Sequence, residues 1–226
     1  MDLTIEFWFK TNGGKAMTFL SNGSGGFLPN DANRNGWSIE MAADNKIHVK
    51  NDSTDFIAVS QDFADNNWHH FSLVVDRIAN ATAYIDGVQQ NTIQADNFYG
   101  FGAPKLVLGA RFSTNGINNT IDQHYNGYLD EVRIWNSKRL RDNLELEMFN
   151  RLQGDEFGLM VYYPFEDYVF QLGVPSLNPS VNDGSQAGLH LTAMNGALVN
   201  DNQTPAIALQ RPIRNVNFSW SVNNDE

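Results

Sequence analysis

No cysteine occurs among the 226 residues. Disulfide staples, thiolate metal sites and a cysteine nucleophile are thereby excluded together. No apolar run approaches the roughly 18 residues of a membrane-crossing helix, so no membrane insertion is expected. Charge is sparse at 18% and one-sided, with 15 Lys and Arg against 26 Asp and Glu and a net charge of −11. No basic cluster interrupts that surplus, which excludes a phosphate backbone and hence nucleic acid as partner. HExxH, GxSxG and a phosphate-cradling glycine loop are missing as well. So is a secretory leader, because Asp2-Leu3-Thr4 runs straight into a strand pattern. The start therefore reads as a cut inside a larger multidomain chain.

What is present is turn-rich β sequence, with 18 Gly and 7 Pro. The stretch Trp68–Gly87, WHHFSLVVDRIANATAYIDG, organises the rest. Trp68, His70, Ser72, Val74 and Asp76 alternate with His69, Phe71, Leu73 and Val75, the period of a strand with two distinct faces. A second run, Thr82–Asp86, ends in Asp86-Gly87, the dipeptide of a two-residue hairpin turn. Leu3–Thr11 alternates in the same way, with Leu3, Ile5, Phe7 and Phe9 opposite Glu6 and Trp8. Trp37–Met41 and Lys46–Lys50 read as a hairpin around Asp44-Asn45, followed by strands at Phe56–Val59 and Lys105–Ala110. Tyr128–Trp135 reads as a strand with Leu129, Glu131 and Arg133 opposite Asp130, Val132 and Ile134. Leu140, Leu144, Met148, Phe149 and Leu152 recur at helical spacing. They predict one helix near residues 138–152, capped by Ser137 and stopped by Gly154.

Three of these segments, LTIEFWFK (3–10), Trp68–Gly87 and GYLDEVRIWN (127–136), fall in the order of a known pattern. Together they resemble the laminin-G-like, concanavalin A-like jelly-roll domains over roughly residues 1–200. The resemblance implies an all-β fold, an antiparallel two-sheet jelly-roll β-sandwich with one short helix. Family members usually carry a strand before the first one found here, so one sheet edge has to be filled by a later segment. Val216, Phe218, Trp220 and Val222 alternate with Asn217, Ser219 and Ser221. That run is either the missing edge strand or a linker and first strand of a following domain. The second is preferred, which divides the chain into 1–210 and 211–226.

Chemistry is harder to place. His69 and His70 are strand neighbours and point to opposite faces, so they cannot chelate one ion. Asp130 and Glu131 diverge for the same reason and fail as an acid/base pair. The Glu-x-Asp-x-x-Glu run of laminarinase-type glucanases, which the resemblance would suggest, does not occur. The expectation is therefore a non-enzyme. Asp31, Asn33 and Asn35 at alternate positions before Gly36 match the first half of an oxygen-ligand calcium loop, although the twelfth position is Ala42 instead of Glu. A structural calcium is thus the one cofactor considered. By resemblance alone, Asp130 is a second calcium candidate.

A sugar needs an aromatic platform beside polar side chains. The long polar loop Arg111–Asn126 offers Asn118, Asp122, His124 and Tyr125. Tyr99 in a glycine-spaced aromatic loop and Trp37 after the Ser21–Gly36 loop complete the candidate set. The sequence reading is thus a non-catalytic carbohydrate-binding or adhesion module of a large extracellular or cell-surface protein. Its partner is a glycan or a cell-surface protein, and the alternative is a structural or protein-binding adhesion domain without a sugar site.

Overall fold

The computed structural model describes residues 2–22, 37–51, 54–95, 106–112, 121–165, 168–169, 180–192, 198–200 and 215–218. The first half holds β1 (Leu3–Lys10), β2 (Met17–Asn22), β3 (Trp37–Met41), β4 (Ile47–Asn51), β5 (Thr54–Val59), β6 (His69–Val75), β7 (Asn80–Ile85) and β8 (Val88–Gln94). The second holds β9 (Leu106–Leu108), β10 (Arg111–Phe112), β11 (Ile121–Asp122), β12 (Gly127–Trp135), α1 (Arg141–Glu147), β13 (Leu159–Tyr163), β14 (Tyr168–Val169), β15 (Ser180–Val181), β16 (Leu191–Thr192), β17 (Leu198–Asn200) and β18 (Asn215–Phe218). One sheet runs β17-β18-β12-β1-β6-β7-β8 with β13 also on β12, and the other runs β5-β4-β3-β2-β9. Two small ribbons, β10-β11 and β14-β15-β16, accompany them. The main pairings are antiparallel, as β1 with β6 and β12 or β3 with β2 and β4.

The alternation read from the sequence is what fills the space between the sheets. Leu3, Ile5, Phe7 and Phe9 of β1 meet Phe71, Leu73 and Val75 of β6 and Ile39, Met41, Ile47 and Val49 of the opposite sheet in one buried cluster. Phe7 sits at its centre, stacked on Phe71 at 5.1 Å and tilted against Phe19 at 5.3 Å.

The β7–β8 turn is the two-residue hairpin expected at Asp86-Gly87, with φ of 51° and 75°. Gly87 is required twice over, since a Cβ there would lie 2.7 Å from Glu145 Cγ of α1. Asp86 also ties the turn to β6: Oδ1 accepts the His70 N–H at 2.7 Å and Oδ2 meets His69 Nδ1 at 2.7 Å. The other ring nitrogen of His69 lies 3.2 Å from Asp65 Oδ1. The hydrogen bond to Asp86 raises the His69 pKa above its ordinary value of 6.5, with Asp65 adding to the effect. A raised folded-state pKa stabilises fully below the unfolded value and is lost as pH climbs through the folded one. The melting-temperature advantage of the wild type over His69→Gln should therefore be largest at about pH 6 and shrink by about pH 9. An advantage that grows with pH would show that the imidazolium is not what holds this turn.

β12 departs from strict alternation. Glu6 pairs with Arg133 and Trp8 with Asp130, so β12 carries one extra residue against β1. Glu131 takes φ of 49° there. The bulge changes the parity of the strand. Leu129 joins Val132 and Ile134 in the core, while Glu131, Arg133 and Trp135 fall together on the outer side. The grouping of Leu129 with Glu131 and Arg133 expected from the sequence is corrected accordingly.

The helix is shorter than its apolar spacing suggests. It covers Arg141–Glu147, its N-cap is Leu140 without a side-chain cap, and the Ser137 carbonyl instead accepts the Thr4 hydroxyl at 2.9 Å. Its end is set by donors from the sheet below. Arg133 donates to the carbonyls of Glu147 (2.9 Å) and Asn150 (2.6 Å), and Trp8 Nε1 to that of Met148 (3.1 Å). These meet carbonyls that a helix end otherwise leaves orphaned. Gly154 lies beyond the helix, in a close backbone approach to Gly184.

Residues 215–218 pair with β12 on one side and β17 on the other. β13 takes Val132–Trp135 of the same β12 edge and β18 takes Gly127–Leu129. Those four residues are thus hydrogen-bonded between β12 and β17.

Candidate functional site

Among the described residues, two groups of ionisable side chains span several strands. The first lies on the outer face of the larger sheet, roofed by α1 and the segment after it. Glu131 and Arg133, both 1% exposed, are bonded at 2.7 Å. The Tyr162 hydroxyl donates to Glu131 at 2.9 Å, and Trp135 Nε1 donates to Glu6 at 2.6 Å. Glu6 and His70 approach to 3.6 Å. Burial raises the Glu6 pKa and holds that of His70 well below the ordinary imidazole range. Both shifts disfavour an ion pair between the two side chains. Every one of these groups is buried, and the cluster is internal scaffolding.

The second lies on the outer face of the five-stranded sheet. Strand alternation turns Ser38 and Glu40 of β3, His48 and Lys50 of β4, and Asp55 of β5 outward, while Ile39, Ile47, Val49 and Phe56 enter the core. The β10–β11 ribbon adds Arg111 and Asp122. Glu40, 3% exposed, accepts from the Ser38 hydroxyl (2.7 Å) and Arg111 Nη1 (2.9 Å), with Lys50 Nζ 2.9 Å from its second oxygen. Arg111 Nε donates to Asp122 Oδ1 at 2.9 Å. Lys50 reaches Asp55 at 3.8 Å, and His48 Nδ1 meets the same carboxylate at 2.6 Å. The result is a row, Asp122–Arg111–Glu40–Lys50–Asp55–His48, crossing three strands and a ribbon.

The row spans β3 and β4 from Lys50, next to Asn51, to Glu40 and His48 near their other ends. Asn22 pairs with both Trp37 and Leu106, and Trp37 with Asn51. Segment 23–36 therefore leaves and rejoins the described structure at paired strand ends, while segment 96–105 leaves after β8 of the larger sheet and rejoins at Leu106, beside Asn22. Asp31, Asn33, Asn35 and Tyr99 lie in those segments and Asn118 in 113–120, all outside the described residues.

Of the remaining sequence candidates, Asp122 is in the row. His124 is partly buried, and burial lowers its pKa, with Lys15 nearby acting in the same direction. Tyr125 and Trp37 are corrected: both rings belong to the core cluster. Tyr125 packs on Phe19 at 5.0 Å and its hydroxyl donates to the Lys10 carbonyl at 3.1 Å, so it offers no face to a pyranose. Asp130 is fully buried, its Oδ1 accepting the Glu131 N–H at 2.8 Å. Burial, reinforced by Glu131, pushes its carboxyl well above the usual range. Among the described residues no three His, Asp or Glu side chains are grouped to hold a metal. Glu40, Lys50 and Arg111 were not singled out from the sequence, though the polar outward positions of β3–β5 were readable from their alternation.

The fold, with one sheet roofed by a helix and the other presenting a polar face, is that of the lectin-type β-sandwiches. Residues 1–144 match the family model described as the concanavalin A-like lectin/glucanases superfamily, and the chain belongs to that family. No curated protein matches the sequence. Among solved structures, a presumed carbohydrate binding protein from Bacteroides ovatus is similar at a TM-score of 0.64 and 15% identity, over 86% of this chain and 52% of that one. This chain thus spans about half the length of the Bacteroides ovatus protein. The CBM40 of the Ruminococcus gnavus IT-sialidase, bound to α2,6 sialyllactose, gives 0.49 and 15%, over 64% and 82%. Domain 4 of AbnA, an extracellular arabinanase from Geobacillus stearothermophilus in complex with arabinotriose, gives 0.47 and 16%, over 63% and 64%. No helix among the described residues is long and apolar enough to cross a membrane.

Proposed function

We propose that this domain is a non-catalytic carbohydrate-binding module of a larger extracellular or cell-surface protein. The observation that carries the reading is the row of side chains on the outer face of the five-stranded sheet. Sugar hydroxyls need donors and acceptors fixed in advance, and mutual ion pairing fixes these without leaving any one desolvated alone. Lectin/glucanase family membership supports the same reading. Asp122 and His124 keep their place as ligand residues, joined by Arg111 and Asp55. Asn118 and Tyr99, outside the described residues, are kept as proposed ligand residues from the sequence. Catalysis is disfavoured because Glu40 is locked between two cations and Glu131 is bound by Arg133 and Tyr162.

A glycan array, run with and without calcium, tests the reading. Any bound oligosaccharide should be weakened by Asp122→Ala by about 1–3 kcal/mol, the range for an anchor that leaves a partner unpaired. Binding unchanged by Asp122→Ala in a folded protein would move the site elsewhere. Absence of any bound sugar would favour the protein-binding alternative.

Calcium at Asp31, Asn33 and Asn35 is proposed as a support for the adjoining rim. With a single carboxylate among these ligands, the affinity belongs near 10⁻⁴–10⁻³ M, roughly that of extracellular modules. Calcium at about ten times its dissociation constant should add roughly 1.4 kcal/mol by mass action. A melting temperature that rises with millimolar calcium, and stays flat in Asp31→Ala, is the expected result. Identical melting curves in EDTA and calcium would remove the ion from the account.

A further inference from the structure

We infer that the outer face of the five-stranded sheet selects uncharged, hydroxyl-rich sugars and turns away glycans that carry a carboxylate or sulfate. The inference rests on the glycan-binding reading above and narrows its ligand class. It follows from how the cations on this face are engaged. Arg111 faces Glu40 and Asp122 at 2.9 Å each, and Lys50 faces Glu40 at 2.9 Å and Asp55 at 3.8 Å. Among the described residues of the row, three carboxylates thus stand against Arg111 and Lys50, with His48 beside Asp55 at its end.

An incoming anion has two ways to reach Arg111 or Lys50, and both are unfavourable. It can displace Glu40, but that carboxylate is 3% exposed and would be left buried without its cation. It can instead sit beside Glu40, Asp122 and Asp55 and meet three like charges at short range. The field of the whole chain, net −11, acts in the same direction during approach.

A hydroxyl meets neither obstacle, because it both donates and accepts. Asp122 and Asp55 keep 39% and 49% of their side chains exposed. Their outer oxygens therefore remain open to hydroxyl donors, while the hydroxyl oxygens can share the N–H groups of Arg111 and the ammonium of Lys50. Charged groups that are already paired give directional hydrogen bonds without offering a net positive site.

The test uses matched oligosaccharides that differ only by a terminal sialic acid or a sulfate. They are titrated into the intact protein at about 0.02 M and about 0.5 M salt, where the Debye length falls several-fold. The neutral member should bind at least about tenfold more tightly at low salt, and the gap should narrow at high salt as repulsion is screened. Glu40→Gln frees Arg111 and Lys50 from their shared carboxylate and should raise affinity for the anionic member relative to the neutral one. Asp122→Asn, at a more exposed position, gives the same readout should Glu40→Gln fail to fold. An anionic member that binds as well as or better than its neutral match at low salt overturns this inference and leaves the glycan-binding reading standing. No binding by any oligosaccharide overturns both.

Discussion

Replacing Arg133 by Met is expected to cost about 3–5 kcal/mol of stability, the range for removing one partner of a buried ion pair. Arg133 does two things at once. It neutralises Glu131 in a place that water does not reach, and it satisfies the Glu147 and Asn150 carbonyls where α1 ends. Met has nearly the length of the arginine stem but brings no donor, so Glu131 stays buried beside Tyr162 alone, the Asn150 carbonyl loses the Arg133 donor and the Glu147 carbonyl keeps only the Asn150 N–H. The double replacement Glu131→Leu with Arg133→Met should recover part of the loss, since the stranded charge is gone. It should not recover all of it, because the Arg133 donors to the Asn150 and Glu147 carbonyls stay lost. Urea unfolding measures both. If Arg133→Met unfolds at the wild-type urea concentration, the roof over the larger sheet is held by something other than this network.

Phe7→Ala should be as damaging, at about 3–5 kcal/mol, for a different reason. Its ring is fully buried and meets Phe71, Phe19 and Phe9, from both sheets. Truncation loses the transfer free energy of the ring and leaves a cavity between two sheets whose backbones are fixed by hydrogen bonding. Leu146, 72% exposed on α1, is the control, and Leu146→Ala should stay within about 0.5 kcal/mol of wild type. Comparable losses from the two would mean that the cluster around Phe7 is not the core.

Much of this was legible in the sequence because it depends on a period of two. β1, β6 and the β7–β8 hairpin stand where alternation and Asp86-Gly87 put them. The misreadings share a cause: a residue's fate was decided by partners far away in the chain. Glu131 lies at a bulge that only the pairing of β12 with β1 defines. The helix stops at Glu147 because Arg133 and Trp8 collect its carbonyls, although the apolar spacing runs on to Leu152. Tyr125 looked like a loop aromatic among Asn and His, but its ring closes the core against Phe19. The polar face of the five-stranded sheet was the least legible. Glu40, Lys50, Arg111 and Asp122 come from four strands and acquire meaning only when their side chains meet.

The position of β1 bears on how the chain is made. It lies between β6 and β12, and Trp135 follows Lys10 by 125 positions. At a synthesis rate of about 5–20 residues per second, roughly 6–25 s pass between the two leaving the ribosome. For all of that interval LTIEFWFK, whose Leu3, Ile5, Phe7, Trp8 and Phe9 are buried in the folded sandwich, has at best one of its two neighbours. An unpaired strand of this kind is an aggregation hazard on a crowded ribosome. The nascent chain should therefore depend on a holding chaperone until β12 emerges, and newly made protein depleted of that assistance should be lost to aggregation in proportion to how slowly it is translated.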